Sequence, residues 1–320
     1  MNRPRAGLTL ALLLTAGCND PARGQRDAIR VVGSSTVFPF TAAVAEAFAR
    51  GKPGAAAPVV ESTGTGAGVR LFCGGVGAGY PDLLAASCRM TRAEYRRCAA
   101  NGAGRLLEVP IGRDGIALVR SRAAADLPLT PALLRRAIVA APTTARTWHD
   151  LDPGLPPTPI RVFGPPPSSG TRDTLLRLIG ARPGDRLRAD GGYVDGGEND
   201  NAIIARLRAD PQAIGIVGFG YLRENGDSVR GLALDGVRPT AAAIASGRYP
   251  AARPLYLYVK AAHLAAVPHL RDLLRVYAAG WSPGGPLAAR GLIPASAAIR
   301  ARSAQVIATE IPLDPAALGR

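Results

Sequence analysis

The chain has 320 residues, enough for two domains of ordinary size or one large one. Hydrophobic residues make up 47% and charged residues 20%, which supplies a core and excludes a disordered or fibrous chain. Aromatics are only 5%, a poor basis for stacking on nucleic-acid bases, so no nucleic-acid partner is expected. The 39 Lys+Arg against 24 Asp+Glu, nearly all arginine apart from Lys52 and Lys260, point to anionic partners or to a genome-wide bias toward Ala, Gly, Pro and Arg.

In chain order, Arg3 and Arg5 precede an apolar run from Leu8 to Leu14 and a small-residue end, Thr15-Ala16-Gly17-Cys18. The run is too short to span a bilayer, which takes about 20 residues. Residues 1–17 therefore read as a signal peptide and 18–27 as a polar tether. A signal that ends in small residues and then Cys resembles the lipobox of bacterial lipoproteins, which would make Cys18 the lipid anchor. Thr15 stands where that pattern more often has Leu, and an ordinary cleaved secretory signal is the alternative. Export permits disulfides. With Cys18 set aside, Cys73, Cys88 and Cys98 remain, an odd number that leaves one thiol over. No CxxC pair occurs and His149, His263 and His269 lie far from the cysteines, so neither a metal nor a cofactor is expected.

Strand and helix signals then alternate. Ile29–Val32 reads as a strand and Pro39–Arg50 as a helix; Val59–Ser62 is a strand, followed by a helix from Val69. Next come a strand at Asp82–Ala86, a helix at Thr91–Asn101, a strand at Gly115–Val119 and a helix at Thr130–Ala140. Ile160–Phe163, Ile214–Gly218 and Leu255–Val259 read as strands, and His263–Ala279 and Ser296–Thr309 as helices. Such alternation argues for an α/β fold with a largely parallel sheet.

Three places share one grammar, in which a strand ends and hydroxyl or glycine residues open a helix. They are Gly33-Ser34-Ser35-Thr36-Val37, Ser62-Thr63-Gly64-Thr65-Gly66-Ala67-Gly68 and Ser168-Ser169-Gly170-Thr171. The first amides of a helix lack internal partners and carry the positive end of its dipole, so each turn suits an anion. Ser and Thr add neutral donors, although they are also ordinary N-caps. In open α/β sheets the ligand crevice lies beyond the carboxyl ends of the strands.

These runs, with Asp82-Leu-Leu-Ala-Ala-Ser87, Ser169-Gly-Thr-Arg-Asp173, Gly196-Gly-Glu-Asn-Asp-Asn201, Ala213–Tyr221, Arg253–Val259 and Gly291-Leu-Ile-Pro294, resemble in order the periplasmic phosphate-binding proteins of the PstS family. The resemblance spans nearly the whole mature chain. It implies a two-lobed type II periplasmic binding protein fold, each lobe a mixed sheet flanked by helices and joined by two crossover strands. Lobe I would comprise 28–119 plus 253–320 and lobe II 120–252, with hinges near Leu118–Ser121 and Pro250–Leu255. Cys73 and Cys98 fall where some members carry a cysteine pair, leaving Cys88 free. Carried over, the ligand set is Ser35 or Thr36, the Val37 backbone, Thr65, Ser87, Ser169, Gly170 and Thr171.

Two departures bear on charge. Cys88 stands where the family has Arg or Asp, and Pro165 where many relatives place an arginine. Arg172 is the preferred substitute cation, with Arg89 the second, and each is equally read as a surface arginine. Asp200 is the candidate acceptor for the proton that hydrogen phosphate keeps, or else a first-turn acid of its helix. The implied function is the solute-binding component of a phosphate ABC transporter, a monomer that captures inorganic phosphate for permease subunits and is tied to the membrane only by lipid. Binding of sulfate or molybdate, a secreted phosphatase-type hydrolase and an anion-sensing or adhesion module are the alternatives. The hydrolase reading lacks a GxSxG elbow or an obvious histidine partner, and no catalytic residue is assigned.

Overall fold

The computed structural model describes residues 28–34, 36–140, 145–167, 169–197 and 199–319, so the signal segment, tether, Cys18 and Ser35 lie outside the described residues. The first half runs β1 (Arg30–Gly33), α1 (Phe38–Gly51), β2 (Val59–Ser62), α2 (Thr65–Phe72), β3 (Leu83–Ala86), α3 (Arg92–Ala100) and a long β4 (Leu106–Ser121). Then come α4 (Pro131–Ile138), α5 (Trp148–Leu151), β5 (Val162–Gly164), α6 (Gly170–Leu178) and β6 (Tyr193–Asp195). These lead to α7 (Asp200–Ala209), β7 (Ile214–Gly218), α8 (Phe219–Glu224), β8 (Val229–Gly231) and α9 (Ala241–Ala245). β9 (Ala252–Lys260) returns to the first half, followed by α10 (Ala261–Ala266), α11 (Leu270–Gly280), α12 (Pro286–Ala289) and α13 (Ala297–Thr309).

The strand order is β2-β1-β3-β9-β4-β7-β5-β6, with β8 beside the end of β4. β1, β2 and β3 are parallel, whereas β9 lies antiparallel between β3 and β4. β5, β6 and β7 are parallel to one another, and β7 is antiparallel to β4. β4 belongs to both halves: it pairs with β9 from Leu106 to Gly115 and with β7 from Ile116 to Val119. β4 carries the chain out and β9 carries it back, which makes the two-lobed α/β fold.

β1 and β3 of the first lobe are buried on both faces, while β2 lies at the exposed edge. Val31 and Leu83 join Leu107, Leu257 and Tyr277 in one apolar cluster, while Val32 and Leu84 join Phe72, Leu106 and Tyr258 in another. Successive residues of a strand point to opposite faces, so a continuous apolar run feeds two cores. The second lobe has its own core around Ile116, Leu134, Trp148, Val162, Ile203 and Ile216. α2 sits unusually close to β1, because a Cβ at Gly68 would stand 2.6 Å from the Gly33 Cα. A disulfide joins Cys73, at the end of α2, to Cys98 in α3, and Cys88 is a free thiol.

Several elements differ from the sequence expectation. α2 starts at Thr65 rather than Val69, so the glycine-rich run is itself the first turn of the helix. β4 begins at Leu106 rather than Gly115, and β9 at Ala252 rather than Leu255. Pro110, Gly112 and the charged pair Arg113-Asp114 break the apolar pattern there; the register shifts between Pro110 and Gly112. The helix expected over His263–Ala279 is two helices, interrupted where Pro268 cannot continue the first and His269 turns to φ 63°.

Candidate cleft between the two lobes

Parallel strands end on a common edge. β1 and β2 end at Gly33 and Ser62 and hand over to α1 and α2, and β3 ends just before Ser87. In the second lobe β5, β6 and β7 lead into α6, α7 and α8. Between the beginnings of α1, α6, α7 and α8 lies a cleft of about 460 Å³ whose walls include Thr36, Asp114, Ser169, Thr171, Asp200 and Tyr221, with Thr65 and Ser87 outside its lining. A second hollow of about 320 Å³ opens between Ser87 and Cys88 on one side and Thr174 and Arg177 on the other. A larger groove of about 1060 Å³ runs beside α13, but no helix beginning apart from that of α13 contributes to it.

The expected ligand residues divide by what they already bond. Thr36 stands at the first-lobe wall with its Oγ1 buried and, among the described residues, unpartnered. The Val37 amide is already taken, donating to the Ser34 carbonyl at 3.1 Å. α1 and α2 have no side-chain caps, but at α1 the Phe38 amide donates to the Ser34 carbonyl at 3.0 Å, those of Phe40 and Thr41 to the Val37 carbonyl, and Pro39 has none, so α2 alone of the two has its first amides left for other acceptors. Thr65 and Ser87 come together: the Ser87 amide donates to Thr65 Oγ1 at 3.2 Å, and the two hydroxyls are also 3.2 Å apart. Ser169 caps α6, accepting from the Thr171 amide at 3.2 Å, and Gly170 opens that helix. Asp200 is buried at the start of α7, and its Oδ2 accepts the Gly218 amide at 2.7 Å.

Neither expected cation is aimed at the cleft. Arg172 lies over the Tyr193 ring at 5.1 Å and donates to the Pro165 carbonyl at 3.3 Å. Arg89 grips Glu108 with Nε and Nη2 and donates through Nη1 to the Ala317 carbonyl at 2.8 Å. A buried cation next to the cleft is Arg253, only 5% exposed. Its Nη2 and Nε donate to Asp114 Oδ2 at 2.8 and 3.3 Å, and its Nη1 donates to Thr174 Oγ1 on α6. Asp114 lines the cleft and Arg253 the smaller hollow, so this ion pair forms the partition between them. Sequence reasoning quoted Arg253 only as part of an apolar motif and passed over Asp114. The usable signal was register: the two sit opposite each other on the crossing strands.

Burial raises the Cys88 thiol above its ordinary pKa, with the charge of Arg177 opposing, which keeps it neutral at pH 7. Burial likewise raises Tyr221, helped by the charge of Asp200, and pushes Tyr193 up to about 12. None of the three histidines is among the residues that line the cleft. The arrangement can hold a small anion by neutral donors, with one salt-linked guanidinium beneath; it offers no serine–histidine pair.

A family model described as a PBP superfamily domain matches residues 19–279. The chain belongs to this PBP superfamily, among its PstS-like members. Protein SphX of Synechococcus elongatus is 31% identical over 265 residues, covering 80% of this chain and 75% of SphX. The phosphate-binding protein PstS of Staphylococcus haemolyticus is 25% identical over 249 residues, covering 76% and 74% of the two chains. Among solved structures, one described as a possible phosphate binding protein from Planctomyces limnophilus shares 28% identity with a TM-score of 0.73, covering 89% of this chain and 98% of that one.

Proposed function

We propose that this PstS-like protein captures inorganic phosphate between its lobes and presents it to the permease subunits of a phosphate ABC transporter. The observation that carries the reading is the convergence of helix beginnings from both lobes on one cleft, with Thr36, whose buried Oγ1 has no partner among the described residues, in its wall. Relatives described as phosphate-binding proteins support the choice of anion.

The first amides of α2 and α6 with the hydroxyls of Thr36, Thr65, Ser87, Ser169 and Thr171 are the neutral donors, and Ser35 lies outside the described residues. Arg253 takes the cation's place assigned by sequence to Arg172 or Arg89, a buried charge held in position by Asp114 and Thr174. Asp200 accepts the proton of hydrogen phosphate and repels fully ionised sulfate. Lobe I comprises 28–115 with 253–320 and lobe II 116–252, a first boundary a few residues earlier than the sequence suggests, where β4 changes partner. Closure bends β4 where it exchanges β9 for β7, a few residues before Leu118, and β9 near Ala252–Leu255. Residues 1–17 are a signal peptide and Cys18 carries lipid. The protein works as a monomer without cofactor or catalysis.

Thermal unfolding with phosphate, sulfate, arsenate and molybdate side by side tests the reading. A ligand that binds only the folded state raises Tm, by about 2.7 kcal/mol of stability at a hundred times Kd. Phosphate is expected to raise Tm and sulfate to leave it unchanged. An equal rise with sulfate or molybdate would move the assignment to another oxyanion, and no rise with any of them would end it.

A further inference from the structure

We infer that the pole of lobe I farthest from the cleft rests on an anionic lipid bilayer. β1, β2 and β3 are parallel, so their first residues, Arg30, Val59 and Leu83, share the edge opposite the cleft, and α2 and α3 end there. Leu313 donates to the Leu106 carbonyl at the start of β4, which brings the end of the chain to the same pole. The described chain begins at Ala28, two residues before Arg30, so whatever precedes it is attached at this pole as well.

Two kinds of exposed side chain gather there. Among the described residues, five of the seven exposed large hydrophobics belong to it: Val59, Leu71, Val76, Tyr80 and Ile311. Arg70, Arg96, Arg97 and Arg105 are exposed beside them, and no ion pair engages any of these four among the described residues. Of the acidic groups of the pole, Asp272 is matched by Lys52 and Arg275, and Glu310 by Arg271, which leaves Asp314 against the four free arginines among the described residues. What remains is basic and apolar together. Guanidinium forks fit phosphodiester headgroups, while aliphatic and tyrosine side chains settle at the boundary with the acyl region. Tyr80 is partly fixed for this by the Lys260 ammonium, 5.5 Å from its ring centroid.

The biological sense of this contact rests on the tethered-receptor reading, but the contact itself needs no acyl chain. The test therefore uses the full chain carrying Cys18→Ser, with Val76→Trp as reporter and Leu71→Trp as a second. Trp148 and Trp281 are buried and stay silent. With phosphatidylcholine vesicles containing about 30 mol% phosphatidylglycerol and a doxyl-labelled lipid, quenching at Val76→Trp should exceed that at Phe38→Trp, at the cleft end of α1, by at least about two-fold. The difference should vanish in pure phosphatidylcholine, in about 0.5 M NaCl, and in Arg96→Glu/Arg97→Glu. No quenching at either reporter, or equal quenching at Phe38→Trp, overturns the inference and leaves the pole to a protein partner. The same samples are melted with phosphate. A rise in Tm without quenching sinks this inference alone, and quenching without a rise sinks the phosphate reading alone.

Discussion

The residue that most shapes the chemistry of the cleft is Arg253. A buried guanidinium tied to Asp114 is oriented before any ligand arrives, so an anion meets a fixed fork rather than a mobile charge. Arg253→Lys keeps the charge and loses the fork, and is expected to weaken phosphate at least about ten-fold by calorimetry. Arg172→Ala, which removes a side chain stacked on Tyr193, should leave affinity within about two-fold of wild type. The reverse ranking would return the cation's role to Arg172. Thr36 offers a sharper test. An unpartnered buried hydroxyl costs about 1–3 kcal/mol, so Thr36→Val should raise Tm without phosphate while lowering phosphate affinity about ten-fold. A variant less stable in the absence of phosphate, with unchanged affinity, would make Thr36 structural only. The hydroxyl and glycine positions were legible in sequence because they follow strands directly. Arg253 was not, since its role comes from a partner 139 residues away.

At the scale of elements, parallel strands with continuous apolar runs announced themselves, and the two crossing strands did not. β4 and β9 carry charged and bulge-forming residues where they leave one sheet for the other, and those residues hid their length. The Cys73–Cys98 disulfide ties α2 to α3 across 25 residues, and chain-entropy arguments give such a loop about 3.5 kcal/mol. Cys73→Ala/Cys98→Ala should therefore lower unfolding free energy by about 2–4 kcal/mol in denaturant titrations. A loss under about 1 kcal/mol would show that packing alone holds the helices. In the second lobe, the bond from Arg188 and the Gly192 amide hold the Asp190 carboxyl at about 2 instead of 3.8. A depressed carboxyl stabilises the fold above its unfolded value, and that contribution is lost as pH falls from 3.8 toward about 2. Asp190→Asn should flatten the acid limb of Tm against pH over that interval. An unchanged slope would assign acid sensitivity elsewhere.

Across the whole molecule, the fold was legible because the repeated grammar of strand, small residues and helix is itself the architecture: two sheets whose helix beginnings face one gap. The place where the lobes bend was less legible, since it depends on which strand pairs with which, and β4 changes partner between Gly115 and Ile116, just after charged and bulge residues that read as a break in the strand. The account therefore stands on a geometric claim, that donors from both lobes hold one anion together. Hydrogen exchange at the first amides of α2 and α6, with and without phosphate, measures this directly. The account requires slower exchange at both beginnings on phosphate addition, in both lobes at once. Protection confined to one lobe, or none at either, would contradict it.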